Sequence, residues 1–367
     1  MRHATHVFRG LLAALAAALA AASVHAQTRW VDTAVPKAGT RAQFFGITVP
    51  SAGQALAVGA YNPGETPTQV LTRPHAQWWN GSAWQALPVP LSPVFTNQAV
   101  RLSAAASTAD GLAWAVGYVE NPASLDSRTL AYQWDGGQWL QVPTPNPGEP
   151  GTGNRLHAVI GSPGGTAWAA GEAGYPARSL MLRWTDGSWQ QVATPDLGPL
   201  RALAADGGTV WAAGGRRLMS DPGSGWAELP APPLPTGAQA LGLTGIAVEG
   251  GRVWVVGIAW RPQGDGLVSG PYAAFLAGSE WTVVVGVPAG NGLTAVSATD
   301  GIVRATSTDG RIVRLTASGA TEERTPRSVR STRRLDALAV DAAGRAWAAG
   351  TLYDRKGTPR GAALTTP

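Results

Sequence analysis

The chain has 367 residues, no cysteine, 47 glycines and 28 prolines, and only 14% of its side chains are charged. Without a thiol it can carry neither a disulfide nor a lipid-modified cysteine nor a thiolate metal site, so its stability has to come from packing. The net charge of +5 falls to +3 once Arg2 and Arg9 of the N-terminal segment are set aside, too mild a surplus to point to nucleic acid.

Residues 1–26 read as a secretory signal peptide. Arg2 and Arg9 form a basic region, residues 10–22 are an apolar Ala/Leu run, and Val24, His25 and Ala26 form a cleavage site before Gln27. The apolar run is short for a bilayer span, which needs roughly 20 residues, and no later run is longer. The expectation is an exported chain, periplasmic or extracellular, that starts at Gln27 and has no membrane span.

Residues 29–36 (RWVDTAVP) read as one strand without a neighbour of its own. After it, three elements recur. Trp-Ala-Val-Gly or a variant stands at 56–59, 114–117, 168–171, 211–214, 254–257 and 347–350, with a degenerate copy at 303–306. Ahead of most copies lies Leu-x-Ala-Val/Leu, at 156–159, 200–203, 293–296 and 335–338, with looser copies at Leu102 and Leu243. Between the two stand Asp110-Gly111, Asp206-Gly207, Gly250-Gly251 and Asp300-Gly301, pairs that tolerate positive φ and suit a hairpin. The third element is a Trp-to-Trp turn, WNGSAW at 79–84, WDGGQW at 134–139, WTDGSW at 184–189 and LAGSEW at 276–281, with a remnant at Trp226. Each repeat is therefore a four-stranded antiparallel meander of propeller-blade length.

Seven copies predict an all-β, seven-bladed β-propeller over residues 27–367, with blades at about 44–90, 100–145, 154–195, 200–230, 240–288, 292–326 and 335–367. The last repeat lacks its Trp-bearing fourth strand, and residues 28–36 are the strand that completes it. Pairing the first strand with the last closes the ring and hides two exposed edges.

WAVG followed by WNGSAW or WDGGQW and a proline resembles the secreted bacterial kelch-like propeller repeats. The resemblance covers the mature chain outside the sixth blade, implies a propeller, and carries no defined activity. The WDGGQW turn is also similar to photosystem assembly-factor repeats. Ser107, Gly111 and Trp114 have the spacing of sialidase Asp-boxes, with Asp110 displaced by one residue.

No catalytic constellation is visible. Only His75 and His157 remain after cleavage, the acids are scattered through turns, and there is no P-loop, dinucleotide fingerprint or G-x-S-x-G turn. A metal site, a cofactor and a copper-radical oxidase are not expected. The repeated tryptophans suit packing between blades.

Candidate ligand residues lie where loops meet one face. The loops after the WAVG elements present Tyr61, Tyr118, Tyr175, Trp260 and Tyr353, an aromatic rim suited to sugars or a protein partner. The x positions of the Leu-x-Ala-Val elements lie near the channel mouth on that face and read Ser103, His157, Arg201, Thr244, Thr294 and Asp336. Arg324, Arg327, Arg330, Arg333 and Arg334 form a run leading into the last blade, a candidate patch for an acidic partner. The expected protein is a monomeric, non-catalytic propeller that binds a glycan or other small ligand on its loop face. The alternatives are a protein-binding scaffold or envelope assembly factor and, further off, a propeller hydrolase.

Overall fold

The computed structural model describes residues 28–64, 71–95, 97–108, 110–124, 126–149, 151–162, 165–326 and 331–367. The signal-type segment 1–26 and the side chains of Arg327 and Arg330 lie outside the described residues. The chain forms seven four-stranded antiparallel sheets, and there is no α-helix among the described residues. The first strand of each blade is innermost: Arg41–Thr48, Ala99–Ser107, Asn154–Gly161, Ala202–Asp206, Ala240–Glu249, Leu293–Thr299 and Thr332–Val340. Each touches the first strand of the next blade, and that of blade 7 touches that of blade 1, so the ring is closed around a central channel.

The repeated motif has a steric origin. In six innermost strands a β-bulge inserts one extra residue, namely Phe45, Ser103, His157, Thr244, Thr294 and Asp336. The residue just before each bulge pairs with the glycine of the second strand or its counterpart, and there the backbones approach closely. A Cβ on Gly171 would stand 1.8 Å from the Arg155 carbonyl oxygen, and one on Gly117 would stand 1.9 Å from that of Arg101. Only glycine fits, which explains the last letter of WAVG. The small residue after the bulge faces the neighbouring innermost strand, where a Cβ on Gly46 would lie 2.7 Å from the Ala105 nitrogen. The leucine before the bulge is buried in every blade that has one, as at Leu102, Leu156, Leu293 and Leu335.

Tryptophans fill the seams. Trp114 of blade 2 lies 4.7 and 4.9 Å, centroid to centroid, from Trp184 and Trp189 of blade 3. Trp168 of blade 3 meets Trp226 of blade 4 at 5.7 Å, and Trp347 of blade 7 meets Trp79 and Trp84 of blade 1 at 5.5 and 5.9 Å. The WAVG tryptophan of one blade thus packs on the Trp-to-Trp turn of the next, and edge and tilted contacts of this kind add to the buried area.

Ring closure falls to the N-terminal strand Val31–Thr33, which pairs antiparallel with Pro359–Thr365 and completes blade 7. It is tied to both neighbouring blades. On one side the buried Trp30 indole donates to Glu323 Oε2 at 2.6 Å, and Glu323 is paired with the buried Arg304 at 3.0 Å in blade 6. On the other, Trp84 of blade 1 donates to Thr33 Oγ1 at 2.8 Å, while that hydroxyl donates to the Ala363 carbonyl at 3.0 Å. Trp30→Ala would remove a buried aromatic and leave the Glu323 carboxylate one partner short. We expect a loss of about 3–5 kcal/mol in chemical unfolding, and a change under 1 kcal/mol would show that this strand does not hold the ring shut.

Candidate functional site

The bulges aim their extra side chains at the channel. A cavity of about 340 Å³ at its mouth is lined by Phe45, Ser103, His157, Arg201, Thr244, Thr294 and Asp336, one residue from each blade. Blade 4 is the variant: its strand starts at Ala202, and the amide of Arg201 just before it donates to the Ala213 carbonyl at 2.8 Å. A bulge redirects a side chain without breaking the strand that carries it, so seven similar strands can present seven different groups to one space.

The two halves of the mouth differ. In blades 5 and 6 the hydroxyls are already committed. Thr244 donates to the Leu293 carbonyl at 2.9 Å, and Thr294 donates to the Leu335 carbonyl at 2.5 Å, each stapling its blade to the next. In blades 2 to 4 the mouth is charged. Glu172 receives Arg155 at 3.3 Å and Arg201 at 3.4 Å, Arg155 also binds Glu120, and Arg201 Nη1 stands 2.8 Å from His157 Nε2. The Arg155 guanidinium lies 5.2 Å over the Tyr118 ring, and the His157 ring meets Tyr118 edge-on at 6.5 Å.

In the acid range where Glu172 titrates, His157 is protonated, and its hydrogen bond and charge, joined by the Arg201 charge and a bond from Arg155, hold the Glu172 carboxyl down to about 2 against its burial. Burial first, and Arg201 with Arg101 after it, push His157 below the ordinary histidine range, while Glu172 pulls it back up. The imidazole is therefore mainly neutral at pH 7, with the Nε2 lone pair accepting from Arg201 at 2.8 Å, and the 3.4 Å approach to Glu172 becomes a donated bond on protonation. Glu172→Gln removes the group that raises the His157 pKa. The His157 ring should then titrate at lower pH than in the unmodified protein when followed by NMR, and an unchanged or higher midpoint would contradict this network.

A second charged group lies across the channel wall. The Arg101 guanidinium stacks 3.5 Å above the centroid of Phe45 and has no carboxylate within ion-pair distance among the described residues. Asp336 accepts from Arg334 Nε at 2.6 Å. Burial raises the Asp336 pKa, while Arg334 and Arg101 act against that shift. Arg101 Nε, Ser103 Oγ and Asp336 Oδ2 are buried atoms without a hydrogen-bond partner among the described residues, and all three residues line the mouth.

The rim aromatics do not form one surface. Of the five, Tyr118 contacts residues of the mouth, its ring meeting that of His157 at 6.5 Å. Tyr61 packs edge-on against His75 at 5.7 Å, Trp260 lies over Gly242, and Tyr353 accepts from Gln43 Nε2 at 3.3 Å. Tyr175 projects into solvent at 91% exposure. The arginine run is equally divided. The Arg324 backbone bridges to Arg29, Arg333 is paired with Asp32 at 2.6 Å across the closing strand, and Arg334 turns to Asp336. Sequence reasoning passed over Phe45, Arg101, Glu120, Arg155 and Glu172. Arg101, Arg155 and Arg334 occupy the position immediately before the motif leucine, and Glu172 follows the WAAG glycine directly, so a repeat alignment one residue wider on each side would have exposed most of the cluster.

No protein-family model matches the chain, and no curated protein matches it. Among solved structures it is similar to YCF48 bound to a D1 peptide, at 14% identity over 92% of this chain and 94% of that one, with a TM-score of 0.58. YjhT is 10% identical over 78% of this chain and 99% of its own length, with a TM-score of 0.49. The Trypanosoma rangeli sialidase, solved with the inhibitor DANA, is 8% identical over 93% of this chain and 58% of its own, with a TM-score of 0.45. At such identities the likeness is one of fold, and together with the seven sheets it defines the chain as a seven-bladed β-propeller.

Proposed function

We propose that this is an exported, non-catalytic propeller that takes a small ligand, a glycan unit or a molecule of similar size, into the mouth of its central channel. The observation that carries the proposal is the convergence of one bulged or strand-leading residue from every blade on a single cavity, with ion pairs concentrated on one side. A volume of about 340 Å³ falls within the range of small-molecule sites. Phe45 supplies an aromatic side chain among the polar groups of the cavity, the combination that suits a polar ring such as a sugar. A rigid ring of seven sheets keeps these groups in place at little ordering cost on binding.

Ser103 sits within the mouth, and Ser103→Trp would fill it from a strand whose core leucine, Leu102, stays untouched. Screening residues 27–367 by calorimetry against a panel of neutral and acidic sugars and short peptides should give ligands that lose at least tenfold in affinity in this variant, at an unchanged thermal midpoint. Panel ligands that bind the variant as well as the original, or a panel with no ligand at all, would overturn the proposal.

A protein segment laid across the same face is the second reading. It is favoured by Tyr175, Leu267 and Val268, which follow or flank the ends of second strands at 91%, 58% and 41% exposure. The similar structure of YCF48 holds a peptide. Panel peptides that bind where sugars do not would favour it.

Export is part of the proposal and is supported by the basic, apolar and small-residue order of residues 1–26. Mass spectrometry of the natively produced chain should find Gln27 at the N-terminus, and an intact cytoplasmic chain starting at Met1 would refute it.

A further inference from the structure

We propose that the channel mouth recognises a carboxylate, seated on Arg101 against the Phe45 face, together with a hydroxyl or amine donor of the same molecule that Asp336 accepts. This deepens the ligand-binding proposal above and rests on it.

Among the described residues, Arg101 and Arg201 line the mouth and Arg155 and Arg334 lie beside it, paired with its acids; three of these four guanidiniums are matched. Arg155 holds Glu120 and Glu172, Arg201 holds Glu172, and Arg334 holds Asp336. Arg101 is the exception. It lines the cavity, its flat side rests on Phe45, and the nearby groups acting on it are the Tyr118 hydroxyl, Asp336 and Arg334 rather than a paired carboxylate. With His157 mainly neutral, four cations face three anions, Glu120, Glu172 and Asp336. The local excess is one positive charge, and it resides on the guanidinium most withdrawn from water, whose pKa burial depresses. An unpaired charge held out of water is costly. An anion delivered by a ligand removes that cost, and the guanidinium edge suits the two oxygens of a carboxylate.

The unpartnered atoms define the rest of the ligand. Arg101 Nε, Ser103 Oγ and Asp336 Oδ2 are withdrawn from water and unpartnered among the described residues, and their residues line one cavity in the sector where blades 7, 1 and 2 meet, so a small turn of these side chains toward the cavity presents two donors and an acceptor. Two donors suit the acid, and the acceptor calls for a hydroxyl or amine beside it. Hydroxy acids, sugar acids and the terminal residue of a peptide share this chemistry. The cavity, about 340 Å³, has room for one such unit.

The test compares matched pairs by calorimetry on residues 27–367: lactate, citrate, D-glucuronate and the peptide Ala-Ala-Ala, each against its ester or amide. At least one acid should bind ten or more times tighter than its neutral counterpart. That preference should vanish in Arg101→Met and return in part in Arg101→Lys, with thermal midpoints confirming that both variants fold. D-glucuronate alone among the binders identifies a sugar acid, and the tripeptide alone identifies a peptide terminus. Acids that bind no better than their neutral partners, or an acid preference that survives Arg101→Met, overturn the carboxylate assignment. In that event, neutral ligands still blocked by Ser103→Trp leave the ligand-binding proposal standing, whereas the absence of any ligand sensitive to Ser103→Trp removes both.

Discussion

The structure depends on a close approach of backbones beside the channel. A carbonyl of the innermost strand, one residue before the motif leucine or its counterpart, lies so near the second strand that a Cβ on the facing glycine would stand about 1.8–2.3 Å away. Where it is this close the contact admits glycine alone, and it accompanies the bulge in five of the six bulged blades, blade 6 carrying Ser307 instead. The bulge in turn lifts one side chain out of the sheet's alternation and directs it to the centre. Packing and function are therefore separated by a single position: the leucine anchors the blade, the next residue faces the ligand space, and the small residue after it lets the neighbouring blade come near. Such a repeat can diversify its central groups without disturbing its core.

This separation also decides what could be read from the amino-acid order. The blade count, the meander and the use of residues 28–36 to complete the last blade follow from recurrences that packing enforces, and all of them are present in the folded ring. Blade 6 was the hardest to recognise because Ser307 stands where other blades have glycine, and its tryptophans are lost. The charged cluster was less legible because it is made between blades. Glu172 gains its meaning from Arg155, its cross-strand partner just outside the motifs, and from Arg201 on the next blade, a neighbour that only the closed ring brings near. The tyrosines show the same limit. Tyr118 lies inside the strand Ala113–Glu120 and turns to the mouth, whereas Tyr175 falls beyond the end of Ala167–Ala173 and points to water.

Asymmetry within a symmetric scaffold is the second theme. Equivalent blade positions carry Thr244 and Thr294, whose hydroxyls bind the next blade, His157 and Arg201, which contact each other, and Asp336, which accepts from Arg334. A threonine there is a joint, and an ionisable group there is a contact. The low-dielectric wall behind them strengthens each interaction and raises the cost of any mismatch, which is why the lone Arg101 stands out against its paired neighbours.

The closing strand has a consequence for how the molecule comes into being. Val31–Thr33 finds its partner only in Pro359–Thr365, at the opposite end of the polypeptide. Six blades can form in order from local hairpins, but the seventh waits for the last residues, and until then both flanks of the open ring are bare sheet edges. Without Pro359–Thr365, Trp30 and the Glu323–Arg304 pair lose the sheet packed beside them and the strand Val31–Thr33 has no partner.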